Sequence, residues 1–571
     1  MKNLGSIGVV CGLLFLVNSV AFPQAETVPA NHPVYAFLKR MEVKGLIERY
    51  HDAVLPLSRK EVARLLDESL LQASHMPPAE RGRLREFLSE FQYDIHGSVN
   101  GFSATLGAEG ELADSVSRGF LERRERFLFL HADSSATLFL NLLFDADARR
   151  ISGAALGTDQ AQYVQLGVRA RGTLLDHLGY SVTATNAQFW GSRELLARDP
   201  LISQSHALSV TNIQNFDFEE GSVRYDGGVV SAQVGRERIL WGSGYSQKMI
   251  FSDNARIFDF IRADVAYKAL RYTFLHAWLL GTESHLTFSL PTDSGSMHTE
   301  PVIADKYVAA HRLELSFPGV MDIGAQEMVV YSNRSVDLGY LTPLSLFESV
   351  QRSRGERDNV FWALDVQTHF LDNIEFSGTI LYDDINVPDM FTDKWSDRYA
   401  WQVGMFYADP FSMPNTNIIV EYTRVEPYTF SHGRSRDDNY TSLGAMLGTS
   451  VGPNGDAMAV RMDYLPLRNL SFSLGVIFER HGMNIVDSTG KVIRNVGGDV
   501  LFPFRDGVDS ERKAFLSGTK VRNRRLEFSA LWEIVNQCWF EVRYKFDSME
   551  EAVTTQRAEN NQISMHLRLE L

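Results

Sequence analysis

Apolar and polar residues alternate along most of this 571-residue chain. The segment Asp305–Asn333, DKYVAAHRLELSFPGVMDIGAQEMVVYSN, shows the unit. Leu313, Leu315 and Phe317 share one parity, and Arg312, Glu314 and Ser316 take the other. After Pro318 and Gly319, Met321, Ile323 and Ala325 alternate with Asp322, Gly324 and Gln326. A period of two predicts strands with one apolar and one polar face. Each arm has about 10–12 residues, the length with which a tilted strand crosses a bilayer. The alternation slips at Glu327, where Glu327, Val329 and Tyr331 continue the parity of Met321 and Ile323. Two explanations are open: a bulge resets the strand, or Glu327 lies beyond the hydrocarbon at the outer rim.

The pattern is clearest in the second half. Trp362, Leu364 and Val366 oppose Asp365, Gln367 and His369, and Phe540, Val542, Tyr544 and Phe546 oppose Glu541, Arg543, Lys545 and Asp547. The chain ends on Ile563, Met565, Leu567, Leu569 and Leu571 against Ser564, His566, Arg568 and Glu570. Earlier strands, Phe120–Leu130 and Ala136–Asp147, are noisier, with apolar residues on both parities. The strands are about twice the 5–6 residues usual in soluble sheets, and tight turns alternate with long polar loops. Those two features predict an all-β transmembrane β-barrel over 92–571, not a sandwich with one wet face. The count is about 18 to 20 antiparallel strands, even if both ends of the barrel lie on one side. That parity requires Tyr428–Gly455 to be one long external or lumen-folded loop. The other external loops fall near 191–218, 240–263, 291–304, 332–357, 384–397 and 481–522.

Residues 31–91 follow a different period. Val34, Phe37, Leu38 and Met41 have helical spacing, Ser58 and Glu61 form a capping box ahead of Val62, Leu65 and Leu66, and Pro77-Pro78 opens a third helix with Leu84, Phe87 and Leu88. The expectation is a small α-helical bundle in the periplasm, packed under the barrel. Residues 1–21 read as a signal peptide: Lys2, an apolar run from Leu4 to Val17, then Ser19-Val20-Ala21. Beyond it only Cys538 remains, which excludes an internal disulfide and a cysteine metal site. The net charge of −15 argues against nucleic acid and suits the cell surface.

Candidate chemistry is sparse. Gly448-Thr449-Ser450-Val451-Gly452 matches G-x-S-x-G, but the turn sequence Pro453-Asn454-Gly455 follows where a nucleophile elbow needs a helix. His311, His369 and His566 read as residues of polar parity without metal-ligand clustering. No phosphate loop or paired-carboxylate motif occurs, so neither an enzyme nor a cofactor or metal site is expected. The loop Arg236–Asp264, RERILWGSGYSQKMIFSDNARIFDFIRAD, is too apolar to be freely solvated and is expected to fold into the lumen, as a plug or in binding. Loop aromatics beside Asp, Asn, Arg and Ser suit sugar rings, which have an apolar C–H face and polar edges. The candidate carbohydrate-binding residues are Trp241, Tyr245, Asn254, Trp395 and Tyr428. An aromatic girdle at the membrane interface is the competing explanation for such rings.

The chain resembles the capsule assembly protein Wzi family. The resemblance is carried by NHPVYAFLKRMEVKGLI and PLSRKEVARLL, ILWGSGY with SDNA, KYVAAHRLELSF with IGAQEMVVY, and RDNVFWALD with LYDDI, in that order. It implies an 18-stranded outer-membrane barrel with a periplasmic helical bundle, acting as a non-enzymatic surface lectin. Its implied partners are capsular or extracellular polysaccharide, outer-membrane lipid and the capsule export machinery. A porin-like solute channel is the alternative function, favoured by the charged lumen and opposed by the inward loop.

Overall fold

The computed structural model describes residues 24–106, 125–154, 157–199, 202–204, 214–289, 297–355, 358–433, 436–551 and 557–571. The expected signal peptide, 1–21, lies outside these, as do parts of the expected loops at 191–218 and 291–304 and the start of the expected strand Phe120–Leu130. Eighteen antiparallel strands form a closed barrel. Each pairs with its neighbour in sequence, and the ring closes where Thr137–Gly153 meets Arg557–Glu570. Closure pairs every edge, the requirement for a sheet in lipid.

Sidedness follows the alternation. Leu313, Leu315, Ile323, Leu364, Phe376, Phe478 and Ile563 are exposed on the outer wall. Arg312, Glu314, Gln326, Asp365 and Gln367 are buried on the inner face. Arg312 lies 2.9 Å from Glu314 and 2.8 Å from Asp365, and Asp365 also accepts from Gln326 at 2.9 Å. Removing one member of such a buried group would leave an unpaired charge, which is what makes these networks demanding.

The early strands differ from the sequence reading. Gln92–His96 is a short helix ended by Gly97 at φ 63°, so the period-two region starts after it, not at Tyr93. Glu125–Ala132 is no crossing: it pairs with only four residues of Thr137–Gly153 and runs parallel to Phe102–Leu106. Phe139 faces inward onto Tyr93, Phe102 and Phe127, which is why apolar residues occupy both parities there.

The helices are α1 (Val34–Val43), α2 (Arg59–Leu71), α3 (Pro78–Glu90) and α4 (Gln92–His96). Ser58 caps α2, its hydroxyl accepting from the Glu61 N–H at 3.2 Å. Val34, Leu38, Met41, Val62, Leu65, Leu66, Leu84 and Phe87 form one apolar core. The bundle covers the mouth where the tight turns lie. Around that rim, Glu26 pairs with Arg171 at 3.1 Å, Glu61 with Arg271 at 2.9 Å, Lys44 with Asp409 at 3.0 Å and Arg83 with Glu533 at 3.1 Å. Lys39 sits at the centre of the contact, 2.8 Å from Glu42, 3.3 Å from Asp52 and 2.6 Å from Glu375 of the wall.

The parity slip at Glu327 is not a bulge. Register runs without a break from Phe317 opposite Met321 to Lys306 opposite Ser332, so no bulge resets the strand. Glu327 faces outward and is fully covered by the loop after its strand. It accepts from the N–H groups of Phe347 at 2.9 Å and Glu348 at 2.7 Å, and pairs with His311 at 3.1 Å. His311 therefore lies on the outer wall under that loop, not on the lumen parity read from the sequence.

Burial raises the Glu42 carboxyl to about 8; the Lys39 ammonium opposes this, while Glu375 and Asp52 add to it. A folded pKa above the ordinary 4.5 means that this proton's contribution is complete below that value and is lost as pH climbs through about 8. Glu42→Gln is expected to flatten the fall in thermal stability of the detergent-solubilised protein between about pH 5 and 8. Identical pH profiles for the variant and the parent protein would contradict this assignment.

Candidate functional site

At the mouth opposite the bundle, three loops meet, 384–398, 426–454 and 484–518. Trp395 stacks on Phe504 with ring centroids 3.9 Å apart and planes at 3°. Tyr428 stands edge-on to both, at 6.3 Å and 5.7 Å. Backbone pairing fixes the pad: the Trp395 N–H donates to Glu511 O at 2.9 Å, and the Lys513 N–H to Asp393 O at 2.7 Å. The Tyr428 N–H donates to Gly497 O at 2.9 Å. Gly497 adopts φ 71°, and a Cβ there would stand 2.5 Å from the Tyr428 nitrogen, so the close approach requires glycine. Burial raises the Tyr428 hydroxyl above its ordinary value, and it donates to Asn495 O at 3.3 Å. Trp395 and Phe504 are half-buried, and Lys394, Arg512 and Asp393 are exposed around them. An aromatic face ringed by charged donors and acceptors can stack a sugar ring and bind its hydroxyls.

The five residues named from the sequence divide between two places. Trp395 and Tyr428 are in this pad. Trp241, Tyr245 and Asn254 lie in the loop after Val230–Glu237, which enters the lumen as a strap. Trp241 is fully buried and donates from Nε1 to Gln326 Oε1 at 2.5 Å. Leu240 and Trp241 pair as a short strand with Val54 and Leu55 of the bundle segment. Tyr245 donates to Glu375 at 2.9 Å, and Glu421 accepts from the N–H groups of Tyr245, Ser246 and Gln247. Asn254 donates to Met446 O at 2.9 Å. The glycines of WGSGY serve this turn: Gly242 adopts φ 127°, and a Cβ on Gly244 would stand 2.2 Å from Gln247 O.

The strap meets the other inward loop. Met249, Ile250 and Phe251 are fully buried with Tyr440, Leu447 and the inner wall residues Val308, Met328, Val330 and Phe361. Tyr440 donates to Ile250 O at 2.7 Å, and the Ser252 N–H donates to Leu447 O at 2.9 Å. Tyr428–Gly455 is thus one lumen-folded loop, as the strand count required. It also explains the G-x-S-x-G match: a Cβ on Gly448 would fall 1.9 Å from Met249 O. Ser450 donates to Gln247 at 3.0 Å, and a turn and then the strand Gly455–Leu467 follow, not the helix of a nucleophile elbow. Phe504 is the pad residue that sequence reasoning missed. Its signal was an aromatic pair in LFPFRDG within a loop already recognised at 481–522.

A membrane-spanning strand wall, an apolar plug and a capped mouth define an outer-membrane β-barrel whose lumen is filled. The chain belongs to the family of the capsule assembly protein Wzi, whose model matches residues 151–487, more than half its length. Among solved structures, it is similar to Wzi of Escherichia coli, described as an outer-membrane protein involved in group 1 capsule assembly and a carbohydrate-binding β-barrel. That match has a TM-score of 0.55 at 11% identity, covering 95% of this chain and 99% of the other. It is also similar to OpdK and OprD of Pseudomonas aeruginosa, at 10% and 11% identity and TM-scores of 0.42 and 0.40; each match covers 76% of this chain, with 99% and 95% of the other chain. No curated protein matches the chain.

Phe251 is the test of the plug's packing. Phe251→Ala is expected to destabilise the barrel by about 3–5 kcal/mol, read as a lower unfolding midpoint in detergent. A midpoint equal to that of the parent protein would mean that the lumen is not packed as described.

Proposed function

We propose that this barrel binds capsular or other extracellular polysaccharide at the Trp395–Phe504–Tyr428 pad and holds it on the cell surface without chemically altering it. In this reading the bundle faces the periplasm and the pad faces outward. The observation that carries it is the stacked, half-exposed aromatic pair set in charged, backbone-pinned loops. Family membership and the fold shared with a carbohydrate-binding barrel support it. Affinity per site can be weak, because many barrels engaging one long polymer add their contacts at high effective concentration.

Trp395→Ala with Phe504→Ala is expected to release polymer into the medium at unchanged total yield, with the barrel still heat-stable in detergent. Unaltered surface retention would overturn the reading. The charged lumen lining favours a second reading, a solute channel, and the packed strap opposes it. Planar-bilayer recordings decide between the two: the plugged barrel should be electrically silent, whereas a large steady conductance would establish the channel.

A further inference from the structure

The loop that covers Glu327 runs over the outside of the barrel, and its exposed side carries three leucines, with Arg352 and Arg354 exposed at its far end. It carries two short helices, Leu338–Leu341 and Phe347–Ser353. One side of it, Tyr340 and Phe347, is buried against the outward residues Phe274, Tyr307, Ala309, Val329 and Tyr331 of the wall. On the opposite side Leu338, Leu344 and Leu346 are 77%, 84% and 59% exposed.

Its depth is set by one contact. The Tyr272 hydroxyl donates to Pro343 O, and Tyr272 pairs across the sheet with Leu313. Leu313 lies four residues from Phe317, the last strand residue before the tight turn. At about 3.4 Å per residue and a tilt near 40°, that level is roughly 10 Å from the rim of an apolar band about 25 Å tall. Pro343 and Leu344 therefore descend beside wall residues that face lipid.

Backbone exposed to hydrocarbon must find its partners within the protein, and much of this loop's backbone is paired internally. The N–H groups of Tyr340 and Leu341 donate to Asp337 O, that of Ser345 to Thr342 O, and those of Ser349 and Val350 to Leu346 O. The Gly339 N–H donates to the Asp337 carboxylate, and Glu327 takes the N–H groups of Phe347 and Glu348. Pro343 has no N–H, and its carbonyl is the one Tyr272 engages. The charged side chains pair locally, Arg354 with Asp337 at 2.8 Å, Arg352 with Glu348 at 2.9 Å and Arg334 with Asp358 at 2.7 Å.

From this geometry we propose that the 338–346 segment is seated in the membrane, with its Leu338–Leu344–Leu346 edge among the lipid acyl chains. The occupant of this apolar face is lipid hydrocarbon, continuous with the lipid around the wall. Glu327 acts as the internal latch, holding the start of the second helix and His311 together.

The test uses the full chain with Cys538→Ser and a single cysteine, Leu344→Cys or Leu338→Cys, carrying an environment-sensitive fluorophore. Val508→Cys, in the 484–518 loop and 70% exposed, serves as control. In phosphatidylcholine vesicles the labels at 344 and 338 should emit at shorter wavelength than the one at 508. Doxyl-labelled lipid, and not aqueous iodide, should quench them. Emission and iodide quenching equal to those of the 508 label would overturn the proposal. Labelling of Val508→Cys on intact cells by a membrane-impermeant thiol reagent tests orientation separately. If that labelling is absent, the outward-facing pad is wrong, whatever the depth readings show.

Discussion

A sheet surrounded by lipid has no water to satisfy its edges, so it must close on itself, and everything else in this molecule follows from that closure. Once Thr137–Gly153 pairs with Arg557–Glu570, alternate side chains are committed to hydrocarbon or to the lumen. Eighteen strands enclose more space than their own side chains fill. The protein fills that space with its own chain. The bundle enters from one mouth, the Tyr428–Gly455 loop from the other, and the Trp241 strap joins them between. The inner wall has adapted to its contents: polar where it meets the bundle, as at Arg271 and Glu375, and apolar where it meets Met249–Phe251, as at Val308 and Val330.

The wall was legible because a period of two is a direct consequence of the pleat and depends on nothing remote. Its failures had remote causes. Around Phe139 the inner face meets aromatic residues from the preceding segment, so the polar half of the pattern vanishes. At Glu327 and His311 the outer face meets protein where the pattern presumes lipid. No local periodicity announces a loop that folds back over its own wall. Helix α4 escaped notice since five residues are too few to show a helical repeat.

The pad was half legible. Trp395 and Tyr428 stood out as aromatics in long polar loops, but their stacking partner Phe504 comes from about a hundred positions further along the chain. Only the folded loops bring the two together. Trp241, Tyr245 and Asn254 shared the same composition and ended in the lumen. The apolar run Met249–Phe251 beside them was the sign of that destination, because such a run needs a core to enter.

The strap between the two mouths has a mechanical meaning. Under the proposed function, a polymer held at the pad would be dragged by flow and by growth of the layer beyond it. Tyr428 and Phe430 belong to the same inward loop as Tyr440 and Leu447. Those grip Ile250 and Ser252, and Trp241 of the same strap is paired with Val54 at the far mouth. Tension applied at the pad would be shared along the full height of the barrel and delivered to a bundle that braces against the opposite rim. The arrangement is that of a rivet, with a head on each side of the sheet and a shank through it.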